Sequence, residues 1–466
     1  MKKNDDIILN ITDVTLDGNG VGRHEGMAVF VPATAPGDEI DCHITKVNKS
    51  YAFGICRSIR VSSPDRQDRG CAVFGRCGGC SFRHISYEAE CRIKEKAVLD
   101  DFLRIGGFER GTFEYLPIMG DTRTDRYRNK AQYPIAADES GRAFCGFYAK
   151  RSHRVIECGD CLLQPEIFSS IAGRMIQLIN ERHIPVYDEA TGKGCVRHIY
   201  LRRGEHSGQI QLTAVAAYDH RGLREILGIV GEEFGDIGSV VLNINPRRDN
   251  VILGDKCITV SKGGTITDTM CGNEITLSPL SFYQVNTLQA ERLYAAAKAF
   301  AAPAGDEDLL DLYCGAGTIG LSMAKDVRHL TGVEIVPQAV ENARKNATAN
   351  GITNADFICD DAGGAAKRFS EQGLRPDIII TDPPRKGCDT ATLEAITAMS
   401  PKRVVMVSCD PATAARDCAY LSGHGYALKA VQAVDLYPGT GHVETVCCLY
   451  HQKNDFISMP YEPKDV

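Results

Sequence analysis

The sequence predicts an α/β protein made of three parts, and each part has its own pattern of apolar runs. Residues 1–61 contain short runs separated by Gly and Pro-Gly turns, which is typical of a small β-barrel. Within the central part, 62–275, residues 115–270 alternate short strand-like pieces with turns and a few helical stretches, which indicates a mixed β domain. Residues 276–466 alternate apolar runs with helical stretches, which predicts βαβ units on a parallel sheet.

The composition is that of an ordinary globular protein. With 466 residues the chain is too long for one core, and its 43% hydrophobic and 24% charged residues are unexceptional. No apolar run approaches the roughly 18 residues that cross a bilayer, and the N-terminus lacks the pattern of a signal peptide. We therefore expect a cytoplasmic protein without membrane contact, in which the 19 cysteines are reduced thiols rather than a disulfide scaffold.

Three local signals predict individual elements. Residues Tyr87–Ile105 have helical character, and two glycines stop the helix directly afterwards. Asn286 is placed to cap a second helix, with Gln289 at the position that completes a capping box. The run DNVILG, at 249–254, predicts a short strand.

The stretch VVMVSCDPATAARD, residues 404–417, raises the question of a catalytic cysteine. Its apolar run predicts a buried strand that ends at Cys409, and Pro411 opens a helix. The carboxyl end of such a strand is where α/β sheets keep their chemistry. Free cysteines are nevertheless often small buried residues, so the stretch alone leaves Cys409 as either a nucleophile or part of the core.

A glycine-rich loop follows another predicted strand in LLDLYCGAGTIGL. The spacing Gly315-x-Gly317-x-x-Gly320 lets the backbone approach a ligand at a helix N-terminus, as in dinucleotide sites. Glu334, at the end of the next strand, can accept ribose hydroxyls in either kind of site. Asp311 distinguishes a dinucleotide site from a site for a sulfonium cofactor, because an acid there would repel a pyrophosphate but suit a cationic sulfonium. The pattern resembles class I S-adenosylmethionine-dependent methyltransferases.

Two later strands add acids to the same predicted edge. Asp361 is placed to accept from an adenine amino group, with Asp360 as its rival. Asp382 begins a DPP motif whose prolines stiffen the loop after the strand. This motif is similar to that of amino-methyltransferases, but Arg385 stands where they carry an aromatic ring, which counts against N-methylation.

A cysteine array in the middle of the chain indicates a ligand site. Cys71, Cys77 and Cys80 lie close together with glycines between them, and Cys158 or Cys161 could supply a fourth thiolate. The spacing does not distinguish zinc from an iron–sulfur cluster.

Residues 122–154 form a basic segment within a chain of net charge -7. The segment holds eight Lys and Arg against three acids, with aromatic residues between them. Such a segment is either a solvated basic face or a groove for nucleic acid.

Together these motifs resemble the RNA uracil-5-methyltransferase family over nearly the whole chain. The motifs SFYQVN, DLYCGAGTIGL, TDPPRKG, VSCDPAT and GHVETV follow in the family's order. The resemblance implies an OB-like, RNA-binding TRAM barrel at 1–61, a central domain at 62–275 and a class I Rossmann-like methyltransferase domain at 276–466. It also implies a 4Fe-4S cluster in the central domain, bound by Cys71, Cys77, Cys80 and, in CLLQP, Cys161 rather than Cys158.

The resemblance implies a reaction and its residues. Cys409 would add to C6 of a uridine, and Glu444 would remove the C5 proton, with His442 as the second choice of base. Five residues would contact S-adenosyl-L-methionine: Gln284, Tyr313, Glu334, Asp361 and Asp382. The target base must leave its stack to be reached, so the basic segment 122–154 is then interpreted as an RNA groove.

The predicted activity is therefore C5 methylation of uridine in 23S rRNA, because a cluster-bearing member resembles the large-subunit branch. The alternatives are a tRNA uracil-5-methyltransferase, a nicotinamide-dependent oxidoreductase and a non-catalytic RNA-binding protein. Cytosine-5 methylation is a nearer rival, but those enzymes place the cysteine after a proline. RNA is the expected partner, the protein is expected to be a monomer, and the cluster is expected to be structural.

Overall fold

The computed structural model describes residues 1–452, and it begins with a closed five-stranded barrel. The barrel has the order β1-β2-β3-β5-β4, and β1 pairs with β4 to close it. Apolar residues that alternate along these strands fill its interior, including Leu9, Val29 and Ile40. The strands are β1 Asp6–Val14, β2 Asn19–His24, β3 Met27–Pro32, β4 Glu39–Val47 and β5 Tyr51–Val61. The predicted N-terminal barrel is confirmed.

Helix α1 (Tyr87–Arg104) leads from the barrel to the rest of the chain. The side chain of Ser86 caps it by accepting from the Ala89 N–H over 3.2 Å. The helix ends at Ile105, before the two glycines, as the sequence predicts. Strand β6 (Glu114–Met119) follows it.

A seven-stranded sheet with two helices forms the middle of the molecule. Its order is β13-β12-β11-β10-β7-β8-β9, and only β11 and β12 are parallel, because helix α3 crosses between them. The elements are β7 Lys130–Ala137, β8 Ala143–Tyr148, β9 Val155–Glu157, α2 Glu166–Glu181, β10 Val196–Arg203, β11 Ile210–Ala216, α3 Arg221–Glu233, β12 Ile237–Ile244 and β13 Lys256–Ser261. A hairpin follows, formed by β14 Ile266–Met270 and β15 Asn273–Leu277.

The strand predicted at 249–254 is wrong. These residues form a loop between β12 and β13, and the Asn245 side chain donates to the carbonyls of Val251 and Ile252 over 2.6 and 2.9 Å. The loop's carbonyls are thereby satisfied by a side chain rather than by a neighbouring strand.

The last part of the chain forms an eight-stranded sheet of order β18-β17-β16-β19-β20-β22-β21-β6. All neighbouring strands are parallel except those that pair with β22. Its elements are α4 Thr287–Ala301, β16 Asp308–Leu312, α5 Thr318–Met323, β17 His329–Glu334, α6 Pro337–Ala349, β18 Ala355–Cys359, α7 Ala362–Glu371, β19 Ile378–Thr381, α8 Thr390–Met399, β20 Arg403–Ser408, α9 Pro411–Ser422, β21 Tyr426–Val434 and β22 Glu444–His451. Of the predicted domain at 276–466, residues 453–466 lie outside the described part.

One strand of this sheet comes from much earlier in the chain. Strand β6 lies inside the interval 62–275 assigned to the central domain, yet it pairs in parallel with β21 at the edge of the eight-stranded sheet. Helix α1 packs against α9 on the same sheet. The N-terminal half of the chain therefore helps to build the C-terminal α/β layer.

The start of α4 differs in one detail from the predicted capping box. Asn286 does cap the helix, since its side chain accepts from the Gln289 N–H over 3.4 Å. The Gln289 side chain, however, donates to the Met119 carbonyl at the end of β6 over 2.8 Å. Gln289 is buried and 1% exposed, so it satisfies a buried carbonyl of the edge strand instead of returning to the cap.

Among residues 1–452, no helix is long and apolar enough to span a membrane.

Candidate active site

The candidate site lies at the carboxyl ends of the central parallel strands, where β16 and β19 are neighbours and the strand order changes direction. Asp311 of β16 is 1% exposed, and its Oδ2 atom accepts from the Gly320 N–H over 3.0 Å. Its Oδ1 atom has no partner. Burial, together with Asp382 and Glu334, raises the pKa of Asp311 to about 8. A buried acid with a free oxygen suits a cationic ligand.

The glycine-rich loop and Glu334 form one hydrogen-bonded unit beside Asp311. The two carboxylate oxygens of Glu334 accept from the N–H groups of Gly315 and Val336 over 3.1 and 2.9 Å. Gly317 has a φ of 82°, and a Cβ there would lie 3.1 Å from both Leu321 and Phe357. The close packing of this turn therefore requires glycine, and it holds Glu334 at the edge of the crevice.

The two acids after β18 have different environments. Asp360 forms an ion pair with Arg368. Asp361 caps α7 by accepting from the Gly364 N–H over 2.7 Å, and it is exposed at the sheet edge. Asp361 thus has free acceptor capacity toward the crevice, whereas Asp360 is engaged.

Tyr313 and Gln284 flank the same crevice from two directions. Tyr313 directly follows β16, has a φ of 67°, and its hydroxyl lies 3.3 Å from Thr392 Oγ1. Gln284 is 7% exposed, and its Oε1 accepts from the Tyr437 hydroxyl over 3.5 Å. Its backbone carbonyl accepts from the Asn129 side chain over 2.7 Å.

Cys409 and Glu444 lie next to each other on adjacent strands. The antiparallel register of β20 and β22 pairs Ser408 with Thr445, and Cys409 and Glu444 are the next residues on the two strands. Burial and the nearby Glu444 raise the pKa of the Cys409 thiol. Burial and the nearby Asp382 raise the pKa of Glu444 to about 8. A thiol and a carboxyl group therefore share one buried wall of the site.

Asp382 connects this pair to the acids around the glycine loop. It follows β19, and burial raises its pKa to about 7. Its charge contributes to the raised pKa values of both Asp311 and Glu444. Electrostatic interactions therefore connect five residues singled out in the sequence: Asp311, Glu334, Asp382, Cys409 and Glu444.

Helix α9 begins directly after Cys409. Asp410 caps it, because one carboxylate oxygen accepts from the N–H groups of Ala412 and Thr413 over 3.1 Å each. Cys409 thus lies at a fixed strand-to-helix turn near a helix N-terminus.

Two residues of the site, Arg385 and Tyr437, were given no role in it by the sequence analysis. The Arg385 side chain is hydrogen-bonded to the Cys409 thiol and lowers the pKa of that thiol, which opposes the effect of burial. Arg385 Nη2 also lies 3.1 Å from His442 Nδ1. The surrounding protein, with Arg385 and Arg128, lowers the pKa of His442 to about 4, so His442 is a weaker base than Glu444. Tyr437, the second residue, is hydrogen-bonded to Glu444, and its hydroxyl lies 3.5 Å from Gln284 Oε1. The run DPPR, beside a predicted thiolate, was the available signal for Arg385.

The cysteine array is assembled from two separate loops. Cys71, Cys77, Cys158 and Cys161 pack around Val73, Ala149 and Ile156. Burial, followed by Cys161, raises the pKa of the Cys80 thiol to about 12, and Cys77 and Cys71 add to the effect. Within residues 1–452, no group of three or more His, Cys, Asp or Glu side chains has the arrangement of a metal site. The thiols are thus neighbours, and the iron–sulfur cluster stays a prediction.

The basic segment 122–154 is less open than its composition indicates. Arg123, Arg126 and Arg142 form ion pairs with acids of the same domain. Arg128 lies over the rings of Tyr127 and Tyr437, 5.9 Å from each centroid. The exposed basic side chains of the segment are Arg142, Lys150, Arg151 and Arg154, and an RNA surface here would be confined to the β8–β9 end.

The fold and the crevice define a class I methyltransferase, and comparison with known proteins gives the family. A model of the tRNA (uracil-5-)-methyltransferase family matches residues 277–452, and a TRAM domain model matches residues 7–56. An uncharacterized RNA methyltransferase of Halalkalibacterium halodurans is 40% identical over 450 residues, which cover 96% of this chain and 98% of that protein. One from Listeria innocua has the same identity and coverage.

A solved structure agrees with this fold. It is a tRNA (uracil-54, C5)-methyltransferase of Pyrococcus abyssi in complex with S-adenosyl-L-homocysteine. The TM-score is 0.75 at 24% identity, and the match covers 95% of this chain and 99% of that chain. This chain belongs to the S-adenosylmethionine-dependent RNA uracil-5-methyltransferase family.

Proposed function

We propose that this protein methylates C5 of a uridine in 23S rRNA, giving 5-methyluridine through a covalent bond between Cys409 and C6 of the base. The observation that carries the proposal is the placement of Cys409 and Glu444 side by side at the ends of β20 and β22. A nucleophile and a base at adjacent positions are what this reaction requires, because one must leave the ring as the other removes a proton.

Cys409 starts the reaction. C5 of uracil is a poor nucleophile, and addition of the thiolate to C6 moves the ring electron pair onto C5 and the O4 enolate. Arg385, bonded to the Cys409 side chain, favours the thiolate over the thiol. S-adenosylmethionine, when bound, supplies the methyl group that C5 attacks, and it leaves as S-adenosylhomocysteine.

Glu444 completes the reaction. After methylation C5 carries both the methyl group and a proton, and the Glu444 carboxylate accepts that proton. The electron pair of the C5–H bond re-forms the C5–C6 double bond and expels the Cys409 thiolate. Tyr437 donates to Glu444 and so holds the carboxylate in one orientation.

Five residues would bind S-adenosylmethionine in this proposal. Glu334 is held by two backbone N–H groups where it can accept ribose hydroxyls, and exposed Asp361 can accept from the adenine amino group. Gln284 and Tyr313 would contact the cofactor, and half-buried Asp382 would face the sulfonium. The unpartnered Oδ1 of Asp311 fits the same positive charge.

The cysteine array is proposed to hold a 4Fe-4S cluster through Cys71, Cys77, Cys80 and Cys161. Four thiols gathered from two loops suit either zinc or an iron–sulfur cluster. Cys161 is preferred to Cys158 because it lies in the CLLQP motif that resembles the family's cluster site. The cluster would tie the two loops together, and nothing in methyl transfer requires an electron.

The choice of 23S rRNA rests on the cysteine array, through the likeness to the rRNA branch. Substrate selection would use the TRAM barrel and the β8–β9 end of the basic segment, with the target base flipped into the crevice. The domains would then be 1–61, 62–275 and 276–466, in a cytoplasmic monomer. The family model's name favours tRNA as the second candidate substrate.

Nucleoside mass spectrometry with site mapping tests the proposal. Large-subunit rRNA and tRNA would be compared between cells with and without this protein, and between cells with the native chain and a Cys409→Ala variant. Loss of 5-methyluridine at one or two rRNA positions supports the proposal. Loss in tRNA alone keeps the chemistry and overturns the substrate. Unchanged 5-methyluridine in both overturns the function.

A further inference from the structure

A fully buried lysine outside the methyltransferase domain contacts the loop that carries the proposed base. Lys94 of α1 has no exposed surface, and its Nζ lies 2.7 Å from Glu90 Oε1, 2.7 Å from Asp435 Oδ1 and 3.3 Å from the Tyr437 carbonyl. Burial alone would lower the pKa of Lys94, but Asp435 and Glu90 raise it, so the ammonium stays charged.

The loop between β21 and β22, residues 435–443, takes most of its hydrogen bonds from elsewhere in the chain. Glu90 Oε1 accepts from the Gly439 N–H over 2.6 Å. The N–H groups of Ser81 and Phe82 donate to the Gly439 carbonyl over 2.9 and 3.1 Å. The Tyr127 hydroxyl donates to the Pro438 carbonyl over 3.0 Å.

The charges around Lys94 balance without any exposed group. Arg69 Nη1 lies 2.8 Å from Glu90 Oε2, so Arg69 and Lys94 face Glu90 and Asp435. Asp435 also accepts from the Tyr437 N–H over 3.1 Å. Two buried atoms of this network, Arg69 Nη2 and Asp435 Oδ2, have no partner. The four contacts to Lys94 and Glu90 nevertheless favour one arrangement of the loop over others.

The position of this loop matters because the loop contains Tyr437 and ends directly before Glu444. The Tyr437 hydroxyl is hydrogen-bonded to Glu444 and lies 3.5 Å from Gln284 Oε1, and Lys94 donates to the Tyr437 backbone carbonyl over 3.3 Å. Cys409 lies on a different loop, fixed by the Asp410 cap of α9, and shares no hydrogen bond with Lys94.

We propose that Lys94 is a positioning residue for the proton-removal step: it fixes residues 435–443 so that Tyr437 presents the Glu444 carboxylate to C5. This inference rests on the proposed function, because it needs Glu444 to be the base. Replacement of Lys94 should separate methyl transfer from proton removal, since the methylated adduct would still form without Lys94 but would resolve slowly.

The test uses the full chain with the change Lys94→Met, and Lys96→Met as the matched control. Lys96 lies on the same helix, but it is half exposed and pairs with Asp13 and Asp100. Turnover on uridine RNA is compared with the rate of adduct formation on RNA containing 5-fluorouridine, whose C5–F bond blocks the last step. Denaturing gels count the enzyme molecules bound covalently to RNA.

We expect Lys94→Met to slow turnover about 10- to 100-fold, as for a misplaced catalytic group, while 5-fluorouridine adduct formation changes less than about threefold. Methylated adduct should accumulate on uridine RNA, and Lys96→Met should behave as the native chain. Equal loss in both assays, or loss in neither, would overturn the inference. A native chain that forms no adduct on 5-fluorouridine RNA would instead overturn the proposed function and this inference with it.

Removal of one buried charge can also unfold a protein. The pair Lys94→Met with Asp435→Asn removes one charge of each sign, and thermal unfolding checks that it is folded. The same accumulation of adduct is expected from the pair, since the contact with the Tyr437 carbonyl is still missing. Normal turnover by the folded pair would contradict the role of Lys94.

Discussion

Glu444 lies across from Cys409, one position beyond the last paired residues of β20 and β22. Glu444 is buried and Cys409 is half-buried, and each has a raised pKa. The strand register therefore sets the relative backbone positions of the proposed nucleophile and the proposed base.

Replacement of the proposed base should trap the reaction after methyl transfer. Glu444→Gln keeps the shape of the side chain but cannot accept the C5 proton, so turnover should fall about 10²- to 10⁴-fold, the usual contribution of a general base. A methyl-labelled, denaturation-resistant complex of enzyme and RNA should accumulate.

Two cysteine variants serve as controls for this experiment. Cys409→Ser should abolish the complex, whereas Cys359→Ser, at the exposed last residue of β18, should leave turnover unchanged. A Glu444→Gln enzyme that turns over normally would assign the base elsewhere, with His442 the first candidate.

The pKa of Glu444 predicts the pH dependence of the rate at which the methylated adduct resolves, because Glu444 acts after methyl transfer. With a value of about 8, Glu444 is mostly protonated below that pH and cannot act as a base. The rate should therefore rise as pH rises, about tenfold per unit below pH 8, and level off above it. A profile that is flat from pH 6 to about 8 would contradict this assignment.

Asp382 and Asp311 should make cofactor binding depend on pH. Their pKa values of about 7 and 8 mean that both acids gain negative charge as pH rises through this range. The sulfonium of S-adenosylmethionine is attracted to that charge, whereas the neutral thioether of S-adenosylhomocysteine is not.

Calorimetric titration should therefore show the affinity for S-adenosylmethionine rising relative to that for S-adenosylhomocysteine, by up to about tenfold per pH unit. Asp382→Asn should reduce this difference. Equal responses of the two ligands would place the sulfonium away from both acids.

The cap of α9 should contribute to stability and to the position of Cys409. Asp410→Ala removes the acceptor for two N–H groups and should lower the free energy of unfolding by about 1 kcal/mol. Asp410→Asn keeps an acceptor and should restore most of it. Denaturant unfolding measures both, and identical stability of the two variants would argue against the cap.

The cysteine array predicts a difference between two neighbouring thiols. Anaerobically prepared protein should contain about four iron atoms per chain, and Cys161→Ser should lose most of them while Cys158→Ser keeps them. Elemental analysis distinguishes iron from zinc. The reverse pattern would make Cys158 the fourth ligand, and zinc in the native chain would exclude the iron–sulfur assignment.

Local signals in the sequence were sufficient for much of the fold. Strands β3 and β4 coincide with the apolar runs MAVFVP and EIDCHITKV, and α1 ends where its glycines begin. The acids at strand ends were found because parallel strands bring their carboxyl ends to one edge.

What the sequence did not predict depends on contacts between distant parts of the chain. Strand β6 has no local mark of its partner β21, and Gln289 turns away from its cap because β6 happens to lie beside it. Arg128 counted as part of a basic surface, yet its guanidinium lies over the rings of two tyrosines. Charge and pattern describe a residue's chemistry, whereas burial is decided by tertiary packing.

The pairing of β6 with β21 constrains the order in which the protein can be completed. Gln432 of β21 donates to the Pro117 carbonyl of β6 across 315 positions of the chain. During synthesis β6 and α1 leave the ribosome long before their partners are made. Until then β6 has an unpaired edge, and the charge cluster around Lys94 lacks one of its acids. Competence for catalysis therefore arrives only with the last strands, and either half made alone would be a candidate for aggregation rather than a working domain.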